Sequence, residues 1–157
     1  MLSKKAKYAL KALVYLASRN DGAPVLIADI AAEENIPRKF LELILLDLRK
    51  NGILESRKGK GGGYLLAKPA SEVSFGRVIR LMDGPLAPLP CVSETAYRRC
   101  DECADEHTCE IRLVMKMVRD QTARILDGTT LADALDGKVA GLMGAENEPS
   151  EVRGENR

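Results

Sequence analysis

A glycine-rich, cationic segment between two short apolar stretches is the feature that most constrains the fold. The segment 58–62 has the sequence KGKGG and separates residues 53–57 from residues 63–67, each of which has the length and content of a strand. Glycines allow a chain to turn tightly between paired strands. The pattern therefore predicts a β-hairpin with a positively charged tip. A nucleotide-binding loop is disfavoured, because the segment lacks the G-x-x-x-x-G-K-[ST] pattern and a strand-to-helix context.

The residues before the hairpin carry the apolar spacing of three helices. Ser3 is placed to cap a first helix over residues 4–19. A second helix is predicted over residues 28–34 and a third over residues 37–51, with Pro37 in its first turn. Two short helices joined by a tight turn suit an ordinary helical hairpin as well as a helix-turn-helix. The hairpin that follows them favours a winged helix-turn-helix.

A long amphipathic helix is predicted over residues 110–127. Its apolar positions step by four, three, four and three residues, which is typical of a coiled-coil seam. These positions are Ile111, Met115, Val118, Thr122 and Ile125. The helix is too short to pack on itself, so a second copy is the natural partner and a homodimer is expected. The alternative is that the seam packs on the chain's own head.

The expected fold class is mostly α with a small β-hairpin, a winged helix-turn-helix head joined to a long dimerisation helix. Residues 1–82 are expected to form the head, and residues 83–109 a cysteine-containing sensor loop. Residues 110–136 are expected to form the dimerisation helix and a short C-terminal helix. The tail 137–157 is expected to be disordered.

Charge is divided unevenly along the chain. Residues 1–80 hold 15 Lys and Arg against 8 Asp and Glu, whereas residues 81–157 hold 9 against 15. A basic head attracts a polyanion such as double-stranded DNA. Aromatic residues make up only 4% of the chain, which argues against stacking on single-stranded bases. The plainer alternative is that the charges only solvate two surfaces.

All four cysteines lie within nineteen residues, in a stretch rich in proline and charge. They are Cys91, Cys100, Cys103 and Cys109, with the spacing C-x8-C-x2-C-x5-C. No apolar run reaches the roughly 18 residues that a membrane span needs, and lysines interrupt any signal-peptide core. The chain is therefore expected in the cytoplasm, away from membranes. There, clustered cysteines favour metal ligands or redox thiols over structural disulfides.

Three runs of sequence in the head form a recognisable set. They are IPRKFLE at 36–42, LRKNGIL at 48–54 and GKGGGYLL at 59–66. Together they resemble the IscR/NsrR/RirA-type winged helix-turn-helix regulators of bacteria, and the resemblance extends over about residues 1–135. It implies a homodimer, most often a repressor, on a palindromic promoter site. It also implies a loop before the dimerisation helix in which three cysteines and a variable fourth ligand hold an iron–sulfur cluster.

The head offers two sets of candidate DNA contacts. The second helix of a helix-turn-helix lies in the major groove, with its N-terminal residues nearest the bases. Arg38 is placed to read guanine, Glu42 to accept from a cytosine amino group and Lys39 to contact a phosphate. Lys58 and Lys60 on the wing are placed for phosphates or the minor groove. The alternative for Arg38, Lys39 and Glu42 is that all three are ordinary surface charges.

The cysteine loop departs from the family pattern in one respect. Cys103 and Cys109 keep a five-residue gap like the family's, and the Cys100–Cys103 pair is additional. An iron–sulfur cluster, 2Fe–2S or 4Fe–4S, on the four cysteines is the preferred hypothesis, because zinc is redox-inert whereas a cluster can be lost, oxidised or nitrosylated. His107 could replace one sulfur. Zinc, a thiol–disulfide switch between Cys100 and Cys103, and cysteines without a role stay open.

Two rival classes of protein are kept beside the DNA-binding regulator. A thiol oxidoreductase would use the CDEC sequence at 100–103, but no βαβ pattern surrounds it. A partner-binding module would use the loop to bind another protein. The prediction is a redox- or metal-sensing transcription regulator without enzymatic activity.

Overall fold

The computed structural model describes residues 2–19 and 21–144 of the 157-residue chain. Seven α-helices, two single 3-10 turns and one two-stranded antiparallel sheet occupy the described residues, which confirms the predicted fold class. The elements are α1 (Lys4–Ser18), α2 (Ile27–Glu33), α3 (Arg38–Lys50), β1 (Leu54–Arg57), β2 (Gly63–Leu66), α4 (Phe75–Asp83), α5 (Glu110–Gly128), α6 (Leu131–Leu135) and α7 (Lys138–Gly144).

The core of the head lies between α1 and α3. Ser3 caps α1 as predicted, since its Oγ accepts a hydrogen bond of 3.0 Å from the Ala6 N–H. The inward side of α3 is completely buried and consists of Leu41, Ile44, Leu45 and Leu48. Each such side chain contributes roughly 1.5–3 kcal/mol through burial. The rotation of α3 about its own axis is therefore fixed, and so is the set of residues on its outer side.

A tight turn at 34–37 joins α2 to α3. Asn35 has a φ of +52°, in the left-handed region that Asn tolerates better than most residues. The Ile36 N–H donates to the Ala31 carbonyl at 2.9 Å and closes the turn. Pro37 stands at the N-cap of α3, one position before the first helical residue. These features give the helix-turn-helix that the sequence predicts.

Backbone hydrogen bonds from its second strand attach the hairpin to the rest of the head. β1 and β2 pair in antiparallel register, with Leu54 opposite Leu66. Tyr64 on β2 also exchanges two backbone hydrogen bonds, of 2.9 and 2.8 Å, with the buried Val25. Gly63 lies so close to Val25 that a Cβ would be 2.5 Å from the Val25 carbonyl carbon. The wing is therefore held against Val25, two residues before the start of α2.

The short helix α6, which follows α5, packs on the head. Thr130 and Asp133 form a capping box at its start, and these hydrogen bonds lower the pKa of Asp133 to about 2. The Leu131 N–H donates to the Val73 carbonyl at 3.0 Å, and the Leu131 side chain is completely buried in the head core. The sequence pattern groups residues 110–136 with the dimerisation helix, whereas this contact joins α6 to the head.

The tail differs in part from the sequence expectation. Disorder is predicted over 137–157, but Lys138–Gly144 is helical. Residues 145–157, the rest of that prediction, lie outside the described residues. None of the helices in the described part of the chain is both long enough and apolar enough to cross a membrane.

Candidate functional site

The outer side of α3 carries the predicted base-reading residues. Arg38, Lys39 and Glu42 are all exposed and lie in the first two turns of the helix. Arg38 Nε lies 3.5 Å from Glu42 Oε1, an exposed ion pair. Such a pair contributes about 1 kcal/mol at most. Both side chains can therefore leave this pair for base edges at little cost.

The tip of the wing presents the two predicted lysines. Gly59 and Gly61 have φ values of +89° and +78°, and the Gly62 N–H donates to the Gly59 carbonyl at 3.0 Å. These left-handed positions suit glycine and make the tip a compact turn. Lys58 and Lys60 are both exposed on it. The tip therefore projects positive charge from the same head that carries α3.

A hydrogen bond and a salt bridge between elements help to set the position of α3, and the sequence pattern predicted neither of them. Arg49 near the end of α3 donates to Ser56 Oγ on β1 at 3.0 Å, which ties the helix to the wing. Lys5 on α1 lies 2.8 Å from Asp47 on α3. The partners belong to different elements, so no local spacing in the sequence indicates these pairs.

The four cysteines are distributed over the whole length of the loop. Cys91 lies in a single helical turn, Pro90–Val92, and is buried. Cys100 is exposed, Cys103 is half-buried, and Cys109 occupies the N-cap of α5. All four are unpaired thiols in the described structure. Ligation at Cys109 would therefore act directly on the start of the long helix.

Cys103 is influenced by two of the other cysteines. Burial raises the pKa of Cys103, and the neighbouring thiols of Cys109 and Cys100 raise it further. Cys91 and Cys100 line a cavity of about 280 Å³. Within residues 2–19 and 21–144, no three His, Cys, Asp or Glu side chains are arranged to hold a metal ion. The predicted donors therefore do not converge on one point in this conformation.

The polar residues between the sulfurs bond mainly to one another. His107 is exposed, and its backbone N–H donates to Asp105 at 2.9 Å, which lowers the pKa of that carboxyl group. The Tyr97 hydroxyl donates to Glu106, and this bond raises the pKa of Tyr97. These bonds organise the loop itself and leave the His107 ring in solvent.

One side of α5 carries three ion pairs that sequence reasoning missed. The pairs are Arg112 with Glu106 at 3.9 Å, Arg119 with Glu94 at 3.0 Å, and Asp127 with Arg80 at 2.8 Å. Steps of seven and eight residues place their α5 members on one side of the helix. Arg119 is only 9% exposed. The first two pairs link α5 to the cysteine loop, and the third links α5 to the head.

A glycine makes room for the third pair. A Cβ at Gly76 on α4 would overlap the Asp127 carboxylate. Arg80 donates two hydrogen bonds to that carboxylate and so lowers its pKa. A bidentate arginine–carboxylate pair fixes orientation as well as distance. The C-terminal end of α5 is therefore oriented against α4.

A second side of α5 is apolar and open to solvent. Ile111, Val114, Val118 and Ile125 lie on it and are between 46% and 67% exposed. Three of these four belong to the predicted seam, while Met115 and Thr122 of the seam are half-buried. The helix therefore packs on its own head along one side and leaves most of the seam exposed.

The basic winged helix-turn-helix head defines the class as a DNA-binding transcriptional regulator. A family model, Rrf2, described as an iron-dependent transcriptional regulator, matches residues 2–137. The chain belongs to the Rrf2 family. This confirms the predicted resemblance, and because members of the family regulate transcription it also confirms that the chain is not an enzyme.

Individual relatives agree with the family assignment. An rrf2-like HTH-type transcriptional regulator of Rhodobacter capsulatus is 47% identical over 138 residues, which cover 86% of this chain and 92% of the relative. The HTH-type transcriptional regulator IscR of Serratia proteamaculans is 32% identical over 155 residues, covering 97% and 88%. The structure of CymR, the global cysteine regulator of B. subtilis, matches with a TM-score of 0.72 at 27% identity, covering 85% and 95%.

Proposed function

We propose that the chain is a dimeric transcription regulator, a repressor, whose promoter binding is controlled by an iron–sulfur cluster at the cysteine loop. The observation that carries the proposal is the loop's position. The loop forms an ion pair with α5 through Glu94 and Arg119, and α5 forms another with the DNA-binding head through Asp127 and Arg80. The working units are the head 1–82, the sensor loop 83–109 and the helices of 110–136. Binding to chromosomal promoters would take place in the cytoplasm.

DNA binding would use both exposed basic regions of the head. Arg38 and Glu42 would read a G·C pair from the major groove, and Lys39 would contact a phosphate. Lys58 and Lys60 would contact phosphates or enter the minor groove beside it. The compact wing tip and the fixed outer side of α3 support this assignment. Two heads would then read the two halves of a palindromic site.

Lys60→Ala is expected to weaken binding to every DNA sequence by a similar factor. One lost phosphate contact reduces the slope of log affinity against log salt by about one. Fluorescence anisotropy titrations at several salt concentrations, with a selected operator and a scrambled duplex, measure this slope. Lys116→Ala, at an exposed lysine on α5, is the matched control and should leave the slope unchanged. An unchanged slope for Lys60→Ala would remove the wing tip from the interface.

Dimerisation would use the exposed apolar side of α5. A stripe with heptad-like spacing on a single helix is covered most economically by the same stripe on a second copy. Exposed apolar surface of this kind is uncommon on a soluble monomer unless it serves an interaction. The two copies of α5 would then set the distance between the two copies of α3.

The cluster would be held by cysteine thiolates from the loop. Cys91, Cys100, Cys103 and Cys109 form the donor set, with His107 as a substitute for one sulfur. Soft thiolate donors suit iron–sulfur chemistry. A 2Fe–2S or 4Fe–4S cluster would link the segments that carry the cysteines, and this link would be redox-sensitive and removable. The Cys103 thiol responds to the neighbouring thiols of Cys109 and Cys100, and Cys100 shares a cavity with Cys91. Closing the site requires the exposed loop to move, because no three of the donors are arranged to hold a metal ion in the described conformation.

A cluster-free thiol–disulfide switch is the second candidate. The Cys103 N–H donates to the Cys100 carbonyl at 3.2 Å, so a single turn brings these two residues together. A zinc ion on the same donors is a third candidate, but zinc would hold the loop without a redox response. All three candidates would act through the start of α5 at Cys109.

Anaerobic purification of the full-length chain separates the candidates. An iron–sulfur protein is expected to be coloured and to contain iron and acid-labile sulfide. Removal of the cluster with a chelator should change operator affinity at least about tenfold, a shift of about 1.4 kcal/mol. Substitution of Cys109 by Ala should abolish the colour.

Other outcomes of that purification point elsewhere. A colourless protein that responds to peroxide only when Cys100 and Cys103 are both present would favour the thiol switch. A colourless, metal-free protein whose operator binding ignores every cysteine substitution would contradict control by the loop.

A further inference from the structure

The outer side of α3 exposes a leucine among its charged residues. Leu43 is 60% exposed, although the four apolar residues on the inward side of α3 are completely buried. It lies one helical turn after Lys39, and side chains four positions apart are neighbours on one side of a helix. Turning α3 to bury Leu43 would expose its inward residues, so the leucine is held where it is.

The charged surroundings make this leucine different from other exposed apolar side chains. Single exposed leucines are common on protein surfaces. Leu43, however, follows Glu42 on the helix that carries Arg38 and Lys39, within a head that holds 15 Lys and Arg against 8 Asp and Glu over residues 1–80. A polyanion attracted to this head would cover Leu43 together with the charges around it.

The base edges of the major groove offer only one apolar group. Each base pair presents hydrogen-bond donors and acceptors there, and thymine alone adds a methyl group. A leucine against donors and acceptors would leave them without partners, which is costly when water is excluded. Against thymine it would bury one methyl group favourably.

We infer that Leu43 is a specificity-determining residue that reads the 5-methyl group of a thymine in each half-site. The inference rests on the proposed binding of DNA through α3. Arg38 and Glu42 would select a G·C pair by hydrogen bonds, and Leu43 would add a preference for thymine. The helix rises about 7.5 Å between Arg38 and Leu43, which corresponds to about two base-pair steps. The thymine should therefore lie within about two or three base pairs of that G·C pair.

The test deletes the methyl group from the DNA. A duplex is first enriched from a random-sequence library by the full-length chain, and each of its thymines is then replaced by deoxyuridine. One position in each half-site is expected to lose affinity about fourfold, which is the value of one buried methyl group. Leu43→Ala should be insensitive to that same replacement. A library selected with Leu43→Ala should lose the thymine preference there.

A matched control and a folding control accompany this test. Leu135→Ala removes a leucine that is also exposed but lies on α6, and it should respond to deoxyuridine as the wild type does. Thermal unfolding of Leu43→Ala should resemble that of the wild type, because the side chain packs little in the free protein.

The results separate this inference from the proposed function. Specific binding with no sensitive thymine, or equal sensitivity in wild type and Leu43→Ala, would overturn the role of Leu43 and leave DNA binding in place. Failure to enrich any sequence would overturn both.

Discussion

Val114→Glu is expected to convert the proposed dimer into a monomer and to weaken operator binding at least about 100-fold. Val114 lies on the exposed apolar side of α5 with Ile111 and Val118. An unpaired charge placed in an apolar interface costs several kcal/mol, and each 1.4 kcal/mol corresponds to a factor of ten. Sedimentation equilibrium measures the association state, and a gel shift with the selected operator measures the affinity.

A glutamate elsewhere on α5 provides the control for that experiment. Lys116 lies on the opposite side of the helix and is exposed. Lys116→Glu introduces the same side chain, although it changes the net charge by −2 instead of −1. It replaces the ion pair with Asp120 by a repulsion, at a cost of about 1 kcal/mol. It should remain dimeric. A Val114→Glu protein that stays dimeric and binds the operator normally would place the dimer interface elsewhere.

Gly63→Ala is expected to lower the free energy of unfolding by about 3 kcal/mol. The added methyl group would lie 2.5 Å from the carbonyl carbon of Val25 and 2.9 Å from its nitrogen. The two backbone hydrogen bonds between Val25 and Tyr64 would have to break, at about 1 kcal/mol each. Strain at a φ of +145° adds to this loss. Urea denaturation of the full-length chain measures the change.

A second glycine in the same hairpin separates crowding from backbone strain. Gly61 has a φ of +78°, but a Cβ there would meet nothing within 4 Å. Gly61→Ala should therefore cost only about 1 kcal/mol, the strain of the left-handed conformation. Equal losses in the two variants would show that contact with Val25 is not the reason for glycine at position 63.

Local patterns in the sequence were sufficient to predict most elements of the head. Apolar periodicity gave α1 and α3, and a capping side chain at Ser3 gave the start of α1. The glycine-rich tip gave the hairpin, because few residues other than glycine accept the backbone conformation of Gly59 and Gly61. Each of these signals lies within the element that it predicts.

Contacts between distant parts of the chain could not be predicted in this way. Leu131 joins the head core beside Val73, although the two are far apart in sequence. The sequence alone does not distinguish Arg119 from a solvated charge on a helix, because its partner Glu94 is brought to it only by the fold. The cysteine spacing likewise identifies donor chemistry, but the path of an irregular loop decides which sulfurs meet. The fold buries Cys91 and places it on one cavity with Cys100, and it sets Cys103 near the thiols of Cys100 and Cys109.

The bidentate ion pair between Asp127 and Arg80 anchors the C-terminal end of α5, so the helix can pivot about that end. From Asp127 to Cys109 the helix measures about 27 Å, and its far end starts in the cysteine loop. A displacement of about 3 Å at that end becomes a tilt of about 6° around the anchored end, because a helix is stiff over this length. A chemical change at one cysteine would thus alter the tilt of α5 relative to the DNA-binding domain. Neither copy of that domain would need to change its internal structure.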